Sequence, residues 1–399
     1  MRRFFSPQGL SGLQGGFQRQ RGPIEQVFTL SETVRAATKR RTVYLLFLDI
    51  EKAYDSVIRP ILWARCLDKG IDGPFLAALQ ATYFGAQACV DVCGTLLDPV
   101  PLEVGVLQGN PLSPALFNIY IDGAIQQLLE RGARAKQPYG VPLPLYSEDG
   151  ALPVFNSTQQ ATLGQSEHLP CLYFADDGCL IAFDLNVLQE MLNITVTELS
   201  ALGLTVNVRK TKWMIVPPQW ANTKMYEDQF KPTALKFVLR VGEQPVALVD
   251  EFDYLGVTIW WRWDWTRACS TAQNRARRAY FGALRGGWQH RAGSLNSQMA
   301  FAHAKIFCHF NYIAPLTGTG GARSSAPWLG NERIIDWVLH AVSGQLFANT
   351  DALRIEAGVW PWQRRCDMLL LRMWCKYLSM PRSCVFFSCY VSQYAEYDA

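Results

Sequence analysis

The chain has 399 residues, 49% of them apolar and 18% charged, with a net charge of +4. That length allows two or three domains, the apolar share excludes a chain disordered throughout, and no apolar run approaches the roughly 18 residues of a membrane-spanning helix. Eleven cysteines are scattered without a framework, and the start MRRFFSPQGL lacks the apolar stretch of a secretory signal, so a reduced, intracellular protein of nucleus or cytoplasm is expected.

Residues 1–48 hold eight Lys and Arg against Glu25 and Glu32. Segment 43-VYLLFLDI-50 reads as a buried strand ending near Asp49, because it is apolar and rich in β-formers. Segment 59–70 reads as a helix with Pro60 in its first turn and Gly70 past its end. In 115–129, Phe117, Ile121, Ala124 and Leu128 form one helical stripe. Residues 131–170 are rich in Pro, Gly, Ser and Gln and read as a long loop insertion. Segment 171-CLYFADDGCLIAF-183 reads as two strands joined by Ala-Asp-Asp-Gly. Helix is expected over 186–202, a strand over 203–216 and a short Gly-kinked strand over 252–259. Beyond 264 the pattern is mostly helical, and 317–330 is a linker candidate. Strands mixed with helices, followed by helices alone, give an α+β class.

Asp49, Asp176 and Asp177 therefore fall at a strand end and a hairpin tip. If these come together, three like charges are costly without a cation. Oxygen ligands without a nearby histidine suit Mg²⁺ or Mn²⁺ better than Zn²⁺. Two such ions about 3.5–4 Å apart serve phosphoryl transfer. The plain alternative is a strand end and an ordinary turn. Residues 262–305 carry eight Lys and Arg against Asp264 alone. At roughly 100° per residue, Arg267, Arg278 and Arg285 share one face of a helix over 264–287. Basic flanks around an acidic motif suit a polyanion, or are two solvated faces.

Segments 47-FLDIEKAYDSV-57, 105-GVLQGNPLSPALFNIYID-122, 172-LYFADDGCLIA-182, 202-LGLTVNVRKTK-212 and 253-DYLGVTI-259 resemble the ordered blocks of a reverse transcriptase of the non-LTR (LINE-type) retrotransposons. Upstream, 14-QGGFQRQRGPIEQVFTL-30 resembles the fingers block, and 351–374 resembles a helical extension after the thumb. The resemblance implies a right-hand polymerase: fingers and palm over 1–258, with the insertion at 131–170, a basic helical thumb over 259–320 and a helical extension over 321–399. It implies an RNA-directed DNA polymerase that adds dNTPs to a DNA primer on an RNA template with two Mg²⁺ ions. Neither a membrane nor a haem or nucleotide cofactor is expected, and the oligomeric state is open.

On these positions the resemblance implies that Asp49, Asp176 and Asp177, with the carbonyl of Ile50, hold metal. It makes Tyr54 the gate against a 2′-hydroxyl, lets Gln108 and Gly109 touch nucleotide and template, and sets Arg21 on the triphosphate. Lys210 would act near the leaving pyrophosphate, and the Arg267, Arg278 and Arg285 face would follow the hybrid. Asp55 reads as a cap for the helix after it. Gln18 stands where the family usually has Arg. Cys89, Cys93, Cys384 and Cys389 have no histidine partners for zinc and read as buried thiols; Trp362, Trp374 and Leu369–Leu371 read as core. The chain looks like the polymerase portion of a larger element or a decayed remnant. The alternative is a truncated or domesticated nucleic-acid-binding remnant without activity.

Overall fold

The computed structural model describes residues 10–39, 41–142, 168–288, 294–317, 326–344 and 349–379. They form two compact units, one built on the chain up to Asp250 and one on Glu251–Arg382.

The first unit is mixed α and β. Its largest sheet has five strands, β1 (Val43–Leu48), β2 (Cys171–Phe174), β3 (Asp177–Ala182), β4 (Lys212–Val216) and β5 (Ala247–Leu248), in the order β5-β4-β1-β3-β2. All neighbours are antiparallel except β4 and β5. Strand β1 is central and almost wholly buried, which is why it reads as a continuous apolar run rather than an alternation. Helix α1 (Pro23–Thr38) packs on β1 and β2, α2 (Arg59–Asp68) on α3 (Ser113–Arg134), and α4 (Leu185–Ala201) on α3, β1 and β3. The expected stripe Phe117, Ile121, Ala124 and Leu128 is buried along α3. Asp184 caps α4 by accepting from the N–H groups of Asn186 and Val187.

Several local expectations are corrected. The hairpin turn is Ala175–Asp176, because Asp177 already pairs with Phe174. Gly178 lies within β3, where a Cβ would come 2.8 Å from the Tyr173 ring that faces it. The strand expected over 203–216 is two. Thr205–Val206 pairs with Ile50–Glu51, and β4 starts only after a turn. Helix α3 extends to Arg134, so the first residues of the 131–170 stretch are helical. Val141–Pro142 then pairs with His168–Leu169, while 143–167 lie outside the described residues. Asp55 caps nothing: the residue at the cap of α2 is Ile58, and Asp55 accepts from Gln108 Nε2 at 2.9 Å. Cys89 and Cys93 are exposed, because they sit on a small ribbon in which Asp91–Val92 pairs with Thr95–Leu96. Cys384 and Cys389 lie outside the described residues.

The second unit opens with a hairpin, Glu251–Tyr254 against Val257–Trp260, where one kinked strand is expected. Its turn, Leu255–Gly256, has both residues at positive φ, and Tyr312 Oη donates to the Leu255 carbonyl at 2.7 Å. The hairpin packs on α5 (Thr266–Arg285), so the unit begins ahead of the expected 259. Helices α6 (Leu295–Ala302), α7 (Cys308–Thr317), α8 (Ala326–Ser343), α9 (Thr350–Ala357) and α10 (Trp362–Leu378) follow. Helix α5 packs on α7 and α8, and α7 on α10, which joins the expected thumb and extension in one body. Trp362 is buried edge-on against Phe310 at 4.9 Å, but Leu371 is 54% exposed. The side chain of Trp374 lies outside the described residues. No helix among the described residues is long and apolar enough to cross a membrane.

Candidate active site

The register decides where the carboxylates go. Leu48 pairs with Gly178, so Asp49, one residue on, leaves the sheet at the same end as the Ala175–Asp176 turn and Asp177. Its backbone is fixed independently: the Asp49 N–H donates to Thr211 Oγ1 at 3.3 Å, and its carbonyl accepts from the Asn207 N–H at 2.8 Å. Lys210, in the turn that follows Asn207, brings Nζ to 3.6 Å from Asp49 Oδ2, with 69% of its side chain exposed.

Electrostatically the three carboxylates act on each other. Burial raises the Asp176 carboxyl and so does Asp49, opposed by a backbone hydrogen bond and by Lys210. Burial, then Asp176 and Asp49, push Asp177 up to about 6, again opposed by Lys210. Among the described residues no three His, Cys, Asp or Glu side chains are gathered closely enough to hold one ion. Lys210 supplies the nearby positive charge. The donor set nonetheless fits a hard divalent cation: oxygen ligands whose ionised forms gain from added positive charge.

Tyr54 stands beside this group. Its ring stacks on Phe117 at 4.8 Å, and burial followed by the Asp176 charge pushes its phenol up to about 12. Ile50 is buried and paired with Val206. Gln108 is exposed and tied to Asp55. Gly109 has φ +86° and open space where a Cβ would stand, so its requirement is conformational freedom rather than close approach. Arg21 Nη1 donates to the carbonyls of Gly12 and Gln14, both at 2.9 Å, bracing the preceding loop.

Two anchors escaped the sequence. Buried Arg59 donates to the carbonyls of Gly105, Tyr83 and Val104, fixing the start of the Gln108 loop. Gln14, fully buried, bonds to both the N–H and the carbonyl of Ala175, beside Asp176. The Gly-Gly pair after Gln14 signalled close backbone approach but not its partner.

In the second unit, α5 carries Arg267, Arg278 and Arg285 exposed on one face. Arg267 is engaged, 3.6 Å from Glu251 and stacked at 5.1 Å over Trp260. Arg278 and Arg285 make no ion pair among the described residues.

A family described as reverse transcriptase (RNA-dependent DNA polymerase) matches residues 5–259. The chain is 29% identical over 249 residues to the retrovirus-related Pol polyprotein from type-2 retrotransposable element R2DM of Drosophila melanogaster, covering 61% of this chain and 20% of that one. It is 25% identical over 240 residues to the Pol polyprotein of the type-1 retrotransposable element R2 of Nasonia vitripennis, covering 59% and 20%. The aligned chain thus spans a fifth of the length of these relatives. Among solved structures, telomerase from Candida albicans in complex with a fragment of telomeric RNA aligns with TM-score 0.42 and 9% identity, over 92% of this chain and 52% of that one. Apo telomerase from Candida tropicalis aligns with TM-score 0.39 and 10% identity, over 92% and 56%.

Proposed function

The chain belongs to the reverse transcriptase family, and on that premise we propose that it catalyses RNA-directed DNA synthesis. The observation that carries the reading is the register in which Leu48 faces Gly178, since it sets carboxylates from distant segments at one sheet end. Asp49 and Asp176, with Asp177 and the Ile50 carbonyl, would hold Mg²⁺, or Mn²⁺ in its place. Bound there, divalent ions supply acidity for a primer hydroxyl and countercharge for pyrophosphate. The residues of the chain do the rest. Thr211 and Asn207 hold the Asp49 backbone still. Tyr54, braced by Phe117, presents a flat ring to the sugar of the incoming nucleotide and disfavours a 2′-hydroxyl. Lys210, exposed and ammonium-bearing, can swing from Asp49 to the departing phosphates and donate a proton from Nζ. Gln108, positioned by Asp55, meets nucleotide and template. RNA template, DNA primer and dNTPs are the substrates, and the exposed Arg278 and Arg285 offer phosphate contacts.

The test is Mg²⁺-dependent extension of oligo(dT) on poly(rA), with Asp176→Ala as control. Extension lost in the variant and retained by the parent supports the reading; equal signal in both refutes it. Hybrid binding without extension by the parent chain would favour the binding-remnant alternative.

A further inference from the structure

The turn that carries Asp176 is built against its own backbone preference. Ala175 has φ +55°, a left-handed conformation that a residue with a Cβ adopts at a cost and keeps only where its surroundings over-determine it. A two-residue hairpin turn already favours positive φ at its first residue, and one side chain clamps that residue in place. Gln14 Nε2 donates to the Ala175 carbonyl at 3.1 Å, and the Ala175 N–H donates to Gln14 Oε1 at 2.8 Å. The same Oε1 accepts from the Gly16 N–H at 2.8 Å, so the primary amide is locked in orientation as well as in place. Gln14 is 0% exposed, and water cannot substitute for it.

The clamp is itself held. Main-chain bonds on both sides of Gln14 tie its segment to the edge of β2: the Tyr173 N–H donates to the Leu13 carbonyl at 2.9 Å, and the Gly15 N–H donates to the Tyr173 carbonyl at 2.7 Å. Arg21 braces the Gly12 and Gln14 carbonyls. Asn118, on α3, donates to the Gly16 carbonyl at 2.6 Å. A Cβ on Gly16 would lie 2.3 Å from the Ala175 nitrogen, so the loop sits as close to the turn as a main chain can.

We infer that Gln14 is a positioning residue for the catalytic turn: its amide holds Ala175 left-handed and thereby fixes where Asp176 and Asp177 present their carboxylates. This rests on the proposed metal-dependent synthesis, and it adds a contributor from the N-terminal segment that touches neither metal nor nucleotide. Removing a partner that orients a ligand typically weakens metal affinity by about 10–100-fold.

The experiment compares Gln14→Met with Gln26→Met. Gln26 is also fully buried and donates to the carbonyl of Tyr173 at 3.1 Å, an acceptor it shares with the Gly15 N–H, but it makes no hydrogen bond to Ala175 among the described residues. Mn²⁺ binding is read directly by electron paramagnetic resonance of free Mn²⁺, without substrates, beside thermal melts. Gln14→Met should weaken Mn²⁺ binding at least about tenfold, while Gln26→Met loses comparable thermal stability and keeps its affinity. Ala175→Gly, which removes the penalty of the left-handed turn, should recover part of the affinity in the Gln14→Met background. Equal affinities for Gln14→Met and the parent, or equal losses in the two Met variants, overturn the inference. Should Gln14→Met not fold, hydrogen exchange on the parent decides: the Ala175 amide should be as protected as the neighbouring amides of β3, and free exchange there overturns it. If instead Asp176→Ala extends primers like the parent, the metal-dependent reading itself fails, independently of Gln14.

Discussion

Removing the charge of Asp177 should stabilise the metal-free protein, and should do so only above acidic pH. The Asp177 carboxyl is pushed from its ordinary 3.8 up to about 6 by burial, Asp176 and Asp49. A raised carboxyl binds its proton more tightly in the folded state. Its contribution is therefore full below the unfolded value and is lost as pH rises through about 6. The displacement corresponds to about 3 kcal/mol at most, and partial exposure reduces the usable part to ~1 kcal/mol. Asp177→Asn should accordingly raise the melting temperature in EDTA at pH 8 by about 2–4 °C, with little gain at pH 4. Adding Mg²⁺ should reverse the ranking, because a cation that binds the folded state stabilises the parent more. The assay is a set of thermal melts of both proteins across that pH range. A variant less stable than the parent at pH 8 in EDTA, or equally shifted at both ends of the range, would refute the account of a buried carboxylate crowded by like charge.

Two further outcomes follow from the described geometry. Tyr54→Ala should admit ribonucleotides, measured as the ratio of kcat/KM for dNTP and rNTP, whereas Tyr54→Phe should keep the ratio; unchanged selectivity in Tyr54→Ala removes that residue from its proposed role. Arg278→Ala and Arg285→Ala should each lower the slope of log affinity against log salt for an RNA–DNA hybrid by about 1, and an unaltered slope would leave that face solvated and uninvolved.

Much of the first unit was legible because its signals are local. An apolar run with no polar interruption is a strand buried on both faces, and β1 is one. The stripe on α3 is set by spacing alone. What was not legible depends on partners far along the chain. Nothing in Ala-Asp-Asp-Gly says that the alanine, rather than the glycine, takes the left-handed position, because the register that puts Ala175 first in the turn is set by strand pairing and the amide that clamps it lies 161 positions away. Alternation through 203–216 hid a turn, since Thr205–Val206 and β4 are each strand-like but pair with different neighbours. Leu255–Gly256 sits inside an apolar run, so its hairpin read as a kink. The Arg21 bonds to the Gly12 and Gln14 carbonyls likewise depend on a loop fold that no local pattern reveals. Of the candidate site, the sequence named the three carboxylates that the strand register sets at one sheet end.

The short pairing of Val141–Pro142 with His168–Leu169 acts as a closed neck. Gly140 has no space for a side chain there, since a Cβ would meet the Leu169 carbonyl at 2.3 Å, so the two stems are cinched backbone to backbone. Cys171, the first residue of β2, follows almost at once. The cinched stems thus fix where the strand leading to Asp176 begins.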